Sequence, residues 1–350
     1  MIKNKRLLLV KRPGPDFLSN PGACFKTDES EISTNLSENT CLVQNMYISI
    51  DPTMRVWMSG IKTYIGVLEL GSLMPALCVG RVIKSNAQGY TEGDIVMGMF
   101  GWQRFAVVNK KELRKLPKDY PEPQHFLGVF GINGLTAYFG LHEVGKIKSG
   151  DTVVVSTAAG SVGTVAVQLA KDKGCKVVGI AGGKDKCEYV KKELGADECL
   201  DYTQYENDFR KLAADLKKAC PKGIDVYFDN VGGWILDAVL VLINNYARII
   251  ACGAIAAYNG AGQDTTVLRN YSNMIMRRAK YEGFIYFDYA KKFPQAIQEL
   301  MQLKGEGKLK FKDDITEGLE KAPEVLKKLF TGKNTGKTLV KVEQVPVPKL

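Results

Sequence analysis

Histidine is scarce in this chain of 350 residues, which contains two, His125 and His142. Its eight cysteines are scattered, and no two have the Cys-x-x-Cys spacing that is typical of zinc ribbons. Catalytic zinc sites need Cys and His ligands, and structural zinc sites need clustered cysteines. The sequence therefore predicts no metal site and argues against a zinc-dependent alcohol dehydrogenase. The cysteines are expected to remain reduced thiols.

Long apolar runs are also missing. No segment approaches the ~18 apolar residues of a membrane helix, and the basic N-terminus is followed by an apolar run, Leu7–Val10, that is too short for a secretory signal. The sequence also argues against a Ser-His-Asp hydrolase, because neither Ser156 nor Ser161 lies in the Gly-x-Ser-x-Gly motif that carries the nucleophile in such enzymes. We therefore expect a cytoplasmic protein with no membrane partner.

Charge is unbalanced but not concentrated. The net charge is +10, with 45% hydrophobic and 25% charged residues, and the cations are spread along the chain. A moderately basic surface favours anionic ligands such as a phosphate-bearing cofactor, and no dedicated nucleic-acid motif is present. The length allows two domains, each with its own core. The expected partner is a small molecule and not a specific nucleic acid.

The most informative stretch runs from Asp151 to Lys186. A buried strand, Asp151–Thr157, leads into a glycine turn, a helix with one apolar face, and a second strand at Lys176–Ala181. The turn predicts a dinucleotide pyrophosphate site, in which small residues let the backbone approach the phosphates. The fingerprint is incomplete, because Ala replaces its first glycine, but the strand–turn–helix context supports it. The site would comprise Ala158, Gly160, Ser161, Val162 and Gly163.

The end of the second strand indicates which nicotinamide cofactor is bound. A free ribose 2′-hydroxyl requires Asp or Glu there, whereas a 2′-phosphate requires cations and no carboxylate. The chain has Gly182-Gly183 followed by Lys184-Asp185-Lys186. This predicts NADP(H) over NAD(H), although Asp185 argues the other way. The alternative is an ordinary strand–helix turn with solvated lysines.

Further alternation of strands and helices predicts an α/β fold with a Rossmann doubly wound parallel sheet of six strands. Ligands of such sheets lie over the carboxyl ends of the strands. Before this sheet, short strand candidates separated by turn residues predict a small all-β barrel or sandwich. The proline cluster at Pro117–Pro123 places a domain boundary near residue 122. The predicted carboxyl ends after the cofactor turn are Asp229–Gly233, Cys252–Ile255 and Phe284-Ile285.

At these residues the chain resembles the zinc-independent branch of the medium-chain dehydrogenase/reductase superfamily. Within it, the similarity is to leukotriene B4 dehydrogenase/prostaglandin reductases and plant alkenal double-bond reductases, and it covers nearly the whole chain. The resemblance implies a GroES-like β-barrel catalytic domain over 1–122, an NADP-binding Rossmann domain over 123–303, and a return to the catalytic domain over 304–350. It also implies a homodimer. The motifs that carry it are Asp51–Arg55, Gly80–Val82, Gly93–Val96, Gly101-Trp102, Gly134–Tyr138, Ala158–Gly163, Tyr227–Gly233, Cys252–Ile255 with Tyr258-Asn259, and Asn334–Thr338.

The resemblance also implies roles for single residues. Lys186 and Tyr202 would hold the 2′-phosphate and its ribose, next to Gly182 at the strand end. The remaining cofactor contacts would be Asn230, Cys252, Gly253, Ala254, Ile255, Phe284, Ile285 and Asn334.

Tyr258 would contact the cofactor and, as the catalytic residue, hydrogen-bond the substrate carbonyl or the nicotinamide ribose. Thr53 departs from the pattern, because many double-bond reductases have Tyr at this position, and this bears on substrate choice. Tyr64 and Trp57 are expected near the substrate pocket, although packing inside the first domain explains them equally well.

Without a metal, hydroxyls and backbone N–H groups must polarise a substrate carbonyl. This suits hydride transfer from NADPH to the β-carbon of an α,β-unsaturated aldehyde or ketone. The function predicted from the sequence is therefore NADPH-dependent reduction of a carbon–carbon double bond. A quinone reductase of the same superfamily is one alternative. A non-catalytic NADPH-binding protein that contacts RNA through its basic surface is another.

Overall fold

Short strands dominate the first third of the chain, and strands alternate with helices after it. The computed structural model describes residues 1–259 and 267–346. Within these residues the strands are, in chain order, β1 (Ile2–Leu9), β2 (Phe25–Ile32), β3 (Thr40–Ser49), β4 (Cys78–Ser85), β5 (Ile95–Gly98), β6 (Phe105–Asn109), β7 (Arg114–Lys115), β8 (Thr152–Ser156), β9 (Lys176–Ala181), β10 (Glu198–Asp201), β11 (Ile224–Asp229), β12 (Ile243–Ala251), β13 (Lys280–Gly283), β14 (Asp313–Glu317) and β15 (Lys337–Lys341).

Most of the longer helices lie between the strands of the second part. A π-helical turn, Gly140–Val144, continues the second helix, and 3₁₀ turns occur at Pro123–Leu127, Tyr202–Tyr205 and Tyr286–Lys292. None of the helices in the described part of the chain is both long and apolar enough to cross a bilayer. The α-helices are α1 (Met54–Trp57), α2 (Ile132–Phe139), α3 (Ser161–Asp172), α4 (Lys184–Lys192), α5 (Phe209–Ala219), α6 (Gly233–Leu240), α7 (Ile255–Tyr258), α8 (Ser272–Arg277), α9 (Phe293–Gly305) and α10 (Ala322–Phe330).

The chain forms two compact units. Unit 1 consists of Met1–Gly128, Asp313–Asn334 and the segment from Thr338 onward, and unit 2 consists of Val129–Lys312 with Thr335–Lys337. The chain therefore leaves unit 1 after Gly128, forms most of unit 2, returns to unit 1 at Asp313, and contributes Thr335–Lys337 to unit 2 before it ends in unit 1. Residues 347–350, which fall in the predicted returning segment 304–350, lie outside the described residues.

Unit 2 is built on a six-stranded parallel sheet with the order β10-β9-β8-β11-β12-β13. Every residue of β8 is buried, because helices cover both faces of a parallel sheet and leave no wet face. In strand sequence the order is 3-2-1-4-5-6, that of a doubly wound dinucleotide-binding fold. The prediction of six parallel strands with intervening helices is confirmed.

Parallel pairing brings the carboxyl ends of these strands to one edge. Ser156 pairs with Ile180, near the end of β9, while Asp229 pairs with Ala251 and Ala251 with Gly283. The loops that follow the strands consequently lie side by side. This edge is where the sequence predicted the ligand.

Unit 1 contains an antiparallel sheet with the order β14-β15-β3-β4-β5-β7, in which β6 also pairs with β3. Strand β15 returns to this sheet, with Leu339 opposite Ser49 of β3. A separate two-stranded sheet is formed by β1 and β2. The core of unit 1 is apolar and includes the buried Trp102, Phe100 and Val43.

The two compact units do not have the bounds of the predicted domains. The predicted boundaries at 122/123 and 303/304 differ from those of the two units. The 3₁₀ turn at Pro123–Leu127 is buried and belongs to unit 1. The second predicted boundary falls inside α9, whose buried residues pack within unit 2. The sequence analysis also missed β2, because six of its eight residues are charged or polar and conceal a strand that pairs with β1 along its full length.

The last strand of the parallel sheet ends at Gly283, directly before the predicted carboxyl end at Phe284-Ile285. The aromatic residues beyond it serve packing and not sheet pairing. Tyr289 stacks on Phe139 of α2 with ring centroids 4.9 Å apart, and Tyr286 stacks on Phe293 at 5.5 Å. Phe284 and Ile285 therefore lie in the loop after the strand.

Candidate functional site

The glycine turn between β8 and α3 is the centre of the candidate site. Helix α3 begins at Ser161, directly after the turn, with Gly160 as its N-cap residue. A Cβ on Gly163 would lie 2.2 Å from the carbonyl oxygen of Thr157, so only glycine allows the helix to pack so close to the strand end. Ala158 is buried, and its N–H donates to the carbonyl of Ile180 in β9. Alanine is therefore accommodated where the usual fingerprint has glycine.

The start of α3 offers backbone donors to an anion. The N–H of Thr164 donates to the carbonyl of Gly160 at 2.8 Å, which is the first bond of the helix. The N–H groups of Ser161, Val162 and Gly163 precede that bond and have no intrahelical acceptor. Together with the helix dipole they form a site suited to phosphate. The turn therefore fits a dinucleotide pyrophosphate.

A segment from near the C-terminus lies against the same turn. The N–H of Gly336 donates to the carbonyl of Ala159 at 2.9 Å, and Gly336 forms a parallel bridge with Gly160. A Cβ on Gly336 would lie 2.1 Å from the carbonyl oxygen of Lys312, and its φ of +75° also favours glycine. The glycine turn is thus held from outside the parallel sheet by Thr335–Lys337. Asn334 precedes this segment and belongs to unit 1, and its contact with a cofactor stays a prediction.

The predicted 2′-phosphate residues come together at the ends of β9 and β10. A Cβ on Gly182 would lie 2.9 to 3.0 Å from atoms of the Tyr202 side chain, so these two residues are in contact. Lys186 lies in the first turn of α4, which begins at Lys184. A larger residue at position 182 would displace the tyrosine. Lys184 and Lys186 thus place two cations in the first turn of the helix that follows Gly182, and cations are what a 2′-phosphate requires.

Asp201 fixes the backbone at this end of the site. Its Oδ1 accepts hydrogen bonds from the N–H of Gly183 at 2.8 Å and from both the N–H and the hydroxyl of Thr203. Burial would raise the pKa of Asp201, but these hydrogen bonds outweigh it and hold the pKa below its ordinary value. The carboxylate of Asp201 is thus hydrogen-bonded to neighbouring backbone and hydroxyl donors.

Asn230 joins the ends of two neighbouring strands. Its side-chain Nδ2 donates to the Ser156 carbonyl at 2.7 Å, and its backbone N–H donates to the Ser156 hydroxyl at 2.9 Å. Two hydrogen bonds to one residue fix the orientation of the amide. Asn230 is therefore held next to the glycine turn, where a cofactor contact was predicted.

Asp229, directly before Asn230, organises the loop after β11. Its Oδ1 accepts hydrogen bonds from the Tyr227 hydroxyl at 3.0 Å, from Val231 N–H at 3.0 Å and from Gly232 N–H at 2.7 Å. Its Oδ2 is buried without a hydrogen-bond partner among the described residues. Burial raises the pKa of Asp229, and the three hydrogen bonds offset only part of this effect.

The loop after β12, Cys252–Ile255, is hydrogen-bonded to the backbone of the same aspartate. The N–H groups of Cys252 and Gly253 both donate to the backbone carbonyl of Asp229, at 2.9 and 3.0 Å. Burial, together with the nearby Asp229 charge, raises the pKa of the Cys252 thiol to about 12. Cys252 is therefore a neutral thiol near pH 7 and a poor nucleophile.

Tyr258 is the last residue of α7 and turns its hydroxyl back onto this loop. The N–H of Ala254 donates to the Tyr258 hydroxyl oxygen at 3.1 Å. A Cβ on Gly253 would lie 3.4 Å from the same oxygen and 3.2 Å from the Asn230 carbonyl, so glycine keeps this space open. The structure thus brings Tyr258, Gly253, Ala254 and Asn230 together at the carboxyl edge of the sheet.

Phe284 and Ile285 follow β13 at the same edge. A Cβ on Gly140 would lie 3.0 Å from the Phe284 ring and 2.7 Å from that of Phe228, so Phe284 packs against the π-helical turn. Ile285 is exposed. A nicotinamide contact for either residue stays a prediction.

Thr53 and Tyr64, the predicted substrate residues of unit 1, contact each other. Their hydroxyl oxygens lie 3.1 Å apart, and the Tyr64 ring packs edge-on against Trp57 with centroids 6.2 Å apart. Tyr64 nevertheless stays 56% exposed, whereas Trp57 is buried. Trp57 is therefore a packing residue that supports Tyr64.

The sequence analysis gave no role to three residues that shape the site, Ser156, Asp201 and Asp229, although it placed Asp229 at a carboxyl end of the sheet. Each is the last residue of a strand of the parallel sheet. Each side chain accepts a hydrogen bond from a backbone N–H in a loop that follows a strand of this sheet. A polar residue that ends an apolar strand is the signal that could have identified them.

Neither histidine lies in a cluster suited to a metal. Within residues 1–259 and 267–346, no group of three or more His, Cys, Asp or Glu side chains is placed to hold an ion. Nδ1 of His125 is hydrogen-bonded to the Tyr120 hydroxyl at 2.8 Å, and the ring of His142 packs against that of Tyr138.

Comparison with known proteins gives consistent results. A family model described as the N-terminal domain of oxidoreductase matches residues 5–116, and one described as zinc-binding dehydrogenase matches residues 161–302. The NADPH-dependent curcumin reductase of Escherichia coli (strain K12) is 39% identical over 346 residues, covering 97% of this chain and 97% of that protein. The NADP(+)-dependent 2-alkenal reductase of Nicotiana tabacum is 40% identical over 309 residues, covering 87% and 88%.

A solved structure of a reported NADPH complex has the same fold as this chain. The crystal structure of CurA from Vibrio vulnificus in complex with NADPH superimposes with a TM-score of 0.89 at 36% identity. The match covers 97% of this chain and 100% of that one.

Proposed function

The chain belongs to the zinc-independent branch of the medium-chain dehydrogenase/reductase family, and we propose that it is an NADPH-dependent reductase of the carbon–carbon double bond of α,β-unsaturated aldehydes and ketones. The observation that carries this proposal is the Tyr258 hydroxyl, which is held at the carboxyl edge of the parallel sheet by the N–H of Ala254. It supplies an uncharged hydrogen-bond donor where a substrate carbonyl would meet the nicotinamide.

The cofactor is NADP(H). Its pyrophosphate would lie at the start of α3, over Gly160–Gly163, and its 2′-phosphate near Gly182, Lys186 and Tyr202. Three features support the phosphate end: no carboxylate ends β9, a lysine lies in the first turn of α4, and a tyrosine packs on Gly182. Asn230, fixed by Ser156, would contact the cofactor on the side of the glycine turn away from the 2′-phosphate, because β9 and β11 flank β8 on opposite sides.

Bound NADPH would supply a hydride to the β-carbon of the conjugated substrate. Negative charge then develops on the carbonyl oxygen, and a hydrogen bond from the Tyr258 hydroxyl would stabilise it. Because its oxygen accepts a hydrogen bond from Ala254, the Tyr258 hydroxyl becomes a stronger donor. Removing one such donor from an oxyanion site typically costs about 10²- to 10³-fold in turnover.

An apolar substrate is favoured by the loop around Tyr64. Ile61, Ile65, Val67 and Leu70 are all exposed in this loop, and Thr53 provides a small hydroxyl where a tyrosine would be bulkier. Exposed apolar side chains close together mark a surface that binds apolar partners. We propose that Thr53 and Tyr64 contact the substrate, and that the small threonine admits bulkier enones.

We also propose a homodimer formed through the edge of the parallel sheet. Among the described residues β13 is an edge strand, and Tyr281 on it is half exposed. On the neighbouring α8, Ile275 and Met276 are among the most exposed apolar residues of unit 2. An unpaired edge flanked by apolar side chains is expected to be covered in a stable protein. Cytoplasmic location remains a prediction from the sequence.

Consumption of NADPH, followed by absorbance, tests the function. The purified protein is mixed with a medium-chain alkenal, an aryl enone, a quinone or no substrate, and NADH replaces NADPH in a parallel series. Oxidation with the alkenal or the enone, together with a product reduced at the double bond, is the expected result. Turnover with the quinone alone would replace the proposal with a quinone reductase. Tight NADPH binding without any turnover would favour the RNA-contacting alternative, which a filter-binding assay with RNA then tests.

A further inference from the structure

The short helix α7, which carries Tyr258, is held by the turn that follows β11. The N–H of Ile255 donates to the carbonyl of Asn230 at 3.4 Å, and the N–H of Ala256 donates to the carbonyl of Val231 at 3.2 Å. The first N–H groups of a helix have no acceptor within the helix itself. Here a different loop supplies the acceptors. The direction of α7, and with it the position of Tyr258, therefore depends on the shape of the turn at 230–231.

One buried side chain, the carboxyl of Asp229, shapes this turn. Its Oδ1 accepts hydrogen bonds from the N–H groups of Val231 at 3.0 Å and Gly232 at 2.7 Å, and from the Tyr227 hydroxyl at 3.0 Å. Asp229 is fully buried, so solvent does not compete for these bonds. Without this acceptor the two backbone N–H groups would lose their partner, and the turn would have to change to satisfy them.

The side chain of Asn230 does not depend on this carboxyl. Its amide and the backbone N–H of the same residue are both hydrogen-bonded to Ser156, in the neighbouring strand β8. The Ser156 hydroxyl in turn donates to the carbonyl of Phe228 at 3.3 Å. The Asp229 carboxyl is therefore expected to act on the direction of α7 and to leave the predicted cofactor contact of Asn230 in place.

We propose that Asp229 is a positioning residue for the Tyr258 hydroxyl, and that its carboxyl acts through the turn at 230–232 and the first N–H groups of α7. The inference deepens the proposed function and rests on it, because Tyr258 is the proposed donor to the substrate carbonyl. Loss of the carboxyl releases the turn, and α7 can then shift. A misplacement of about 1 Å can cost about 10²-fold in rate.

Hydrogen exchange tests the positioning without cofactor or substrate. Mass spectrometry with electron-transfer fragmentation measures single amides. In Asp229→Ala the N–H groups of Ala254, Ile255 and Ala256 should exchange at least about tenfold faster than in the parent, because local opening governs exchange. Asp229→Asn keeps one acceptor oxygen without the charge, so its increase should be smaller, about fivefold. The asparagine variant decides the question if the alanine variant does not fold. Unchanged exchange at these amides would overturn the proposal.

Asp225→Ala is the matched control, because Asp225 lies near the other end of the same strand. Its Oδ2 accepts a hydrogen bond from the N–H of Thr152 at 2.8 Å, and its Oδ1 accepts one from Nδ2 of Asn244 at 2.8 Å. This variant should speed exchange at Thr152 and leave the amides of 254–256 unchanged. If Asp225→Ala also sped exchange at 254–256, a general loss of stability would explain both variants, and the specific role of Asp229 would be overturned.

A double-mutant cycle tests the consequence for turnover. With an enone and saturating NADPH, Asp229→Ala should lower kcat by at least about tenfold in the parent. Added to Tyr258→Phe, it should lower kcat by less than about twofold, because no hydroxyl is left to misplace. The dissociation constant for NADPH should stay unchanged, because Ser156 holds Asn230. An equal loss of kcat in both backgrounds would overturn the coupling. A parent protein without enone turnover would instead contradict the proposed function, and hydrogen exchange would still decide the positioning.

Discussion

The backbone N–H of Ala254 donates a hydrogen bond to the Tyr258 hydroxyl oxygen across 3.1 Å. Both residues belong to the chain just after β12, so this bond closes a short loop onto itself and fixes the direction of the phenol. The loop is anchored in turn, because Cys252 and Gly253 donate to the carbonyl of Asp229. A donor held in this way is preorganised for charge that develops during a reaction.

Tyr258→Phe should lower turnover by at least about tenfold with an enone substrate. The ring is retained, so the loss reports the hydroxyl. If the donor acts only on the developing oxyanion, kcat should fall while the Michaelis constant for NADPH stays unchanged. Steady-state kinetics with saturating NADPH measures this. Tyr246→Phe is the matched control, because Tyr246 is an exposed tyrosine of the same unit. Equal rates for the two variants would remove Tyr258 from the mechanism.

Lys186→Ala should raise the Michaelis constant for NADPH by about tenfold, the contribution of one charge-assisted hydrogen bond. NADH lacks the 2′-phosphate, and its Michaelis constant should hardly change. Lys192→Ala serves as the control, because Lys192 lies at the other end of α4, where it pairs with Glu188 at 2.6 Å. A similar loss with both cofactors would mean that Lys186 supports the helix and not the phosphate.

The sequence was sufficient to predict the parallel sheet because its strands are nearly continuous apolar runs. Strand β8 and the glycine turn after it are encoded within a few residues, and both were found where predicted. The hydrogen bonds that hold the site residues in place could not be predicted in this way. Ser156 and Asn230 are 74 positions apart, and their two hydrogen bonds depend on which strands become neighbours. Local patterns encode elements, whereas contacts of this kind arise from topology.

Ile275→Lys should convert the proposed homodimer to monomers. Ile275 is 73% exposed on α8, beside the edge of the parallel sheet, and a lysine there would place a charge in an apolar interface. Sedimentation velocity measures the change in mass. Met99→Lys, at an exposed apolar residue of unit 1, should leave the assembly intact. An unchanged sedimentation coefficient for Ile275→Lys would contradict an interface at this edge.

Asp229 connects the site to the stability of unit 2. Its carboxyl is fully buried, three donors bind Oδ1, and burial raises its pKa above the value in the unfolded chain. As pH rises, the unfolded chain therefore releases this proton first, while the folded protein still holds it. The stabilisation from the protonated carboxyl is complete below the unfolded pKa and is lost as pH rises through the folded pKa.

Asp229→Asn should remove this pH dependence, because an amide cannot ionise. The free energy of unfolding of the parent relative to the variant should decrease as pH rises from about 4, and then level off once the folded carboxyl has ionised. Urea unfolding at a series of pH values, followed by circular dichroism, measures the difference. Asp119→Asn, at an exposed loop position, should show no comparable trend. A difference between parent and Asp229→Asn that is constant with pH would show that the folded carboxyl keeps its ordinary pKa, and that the hydrogen bonds from Tyr227, Val231 and Gly232 fully offset its burial.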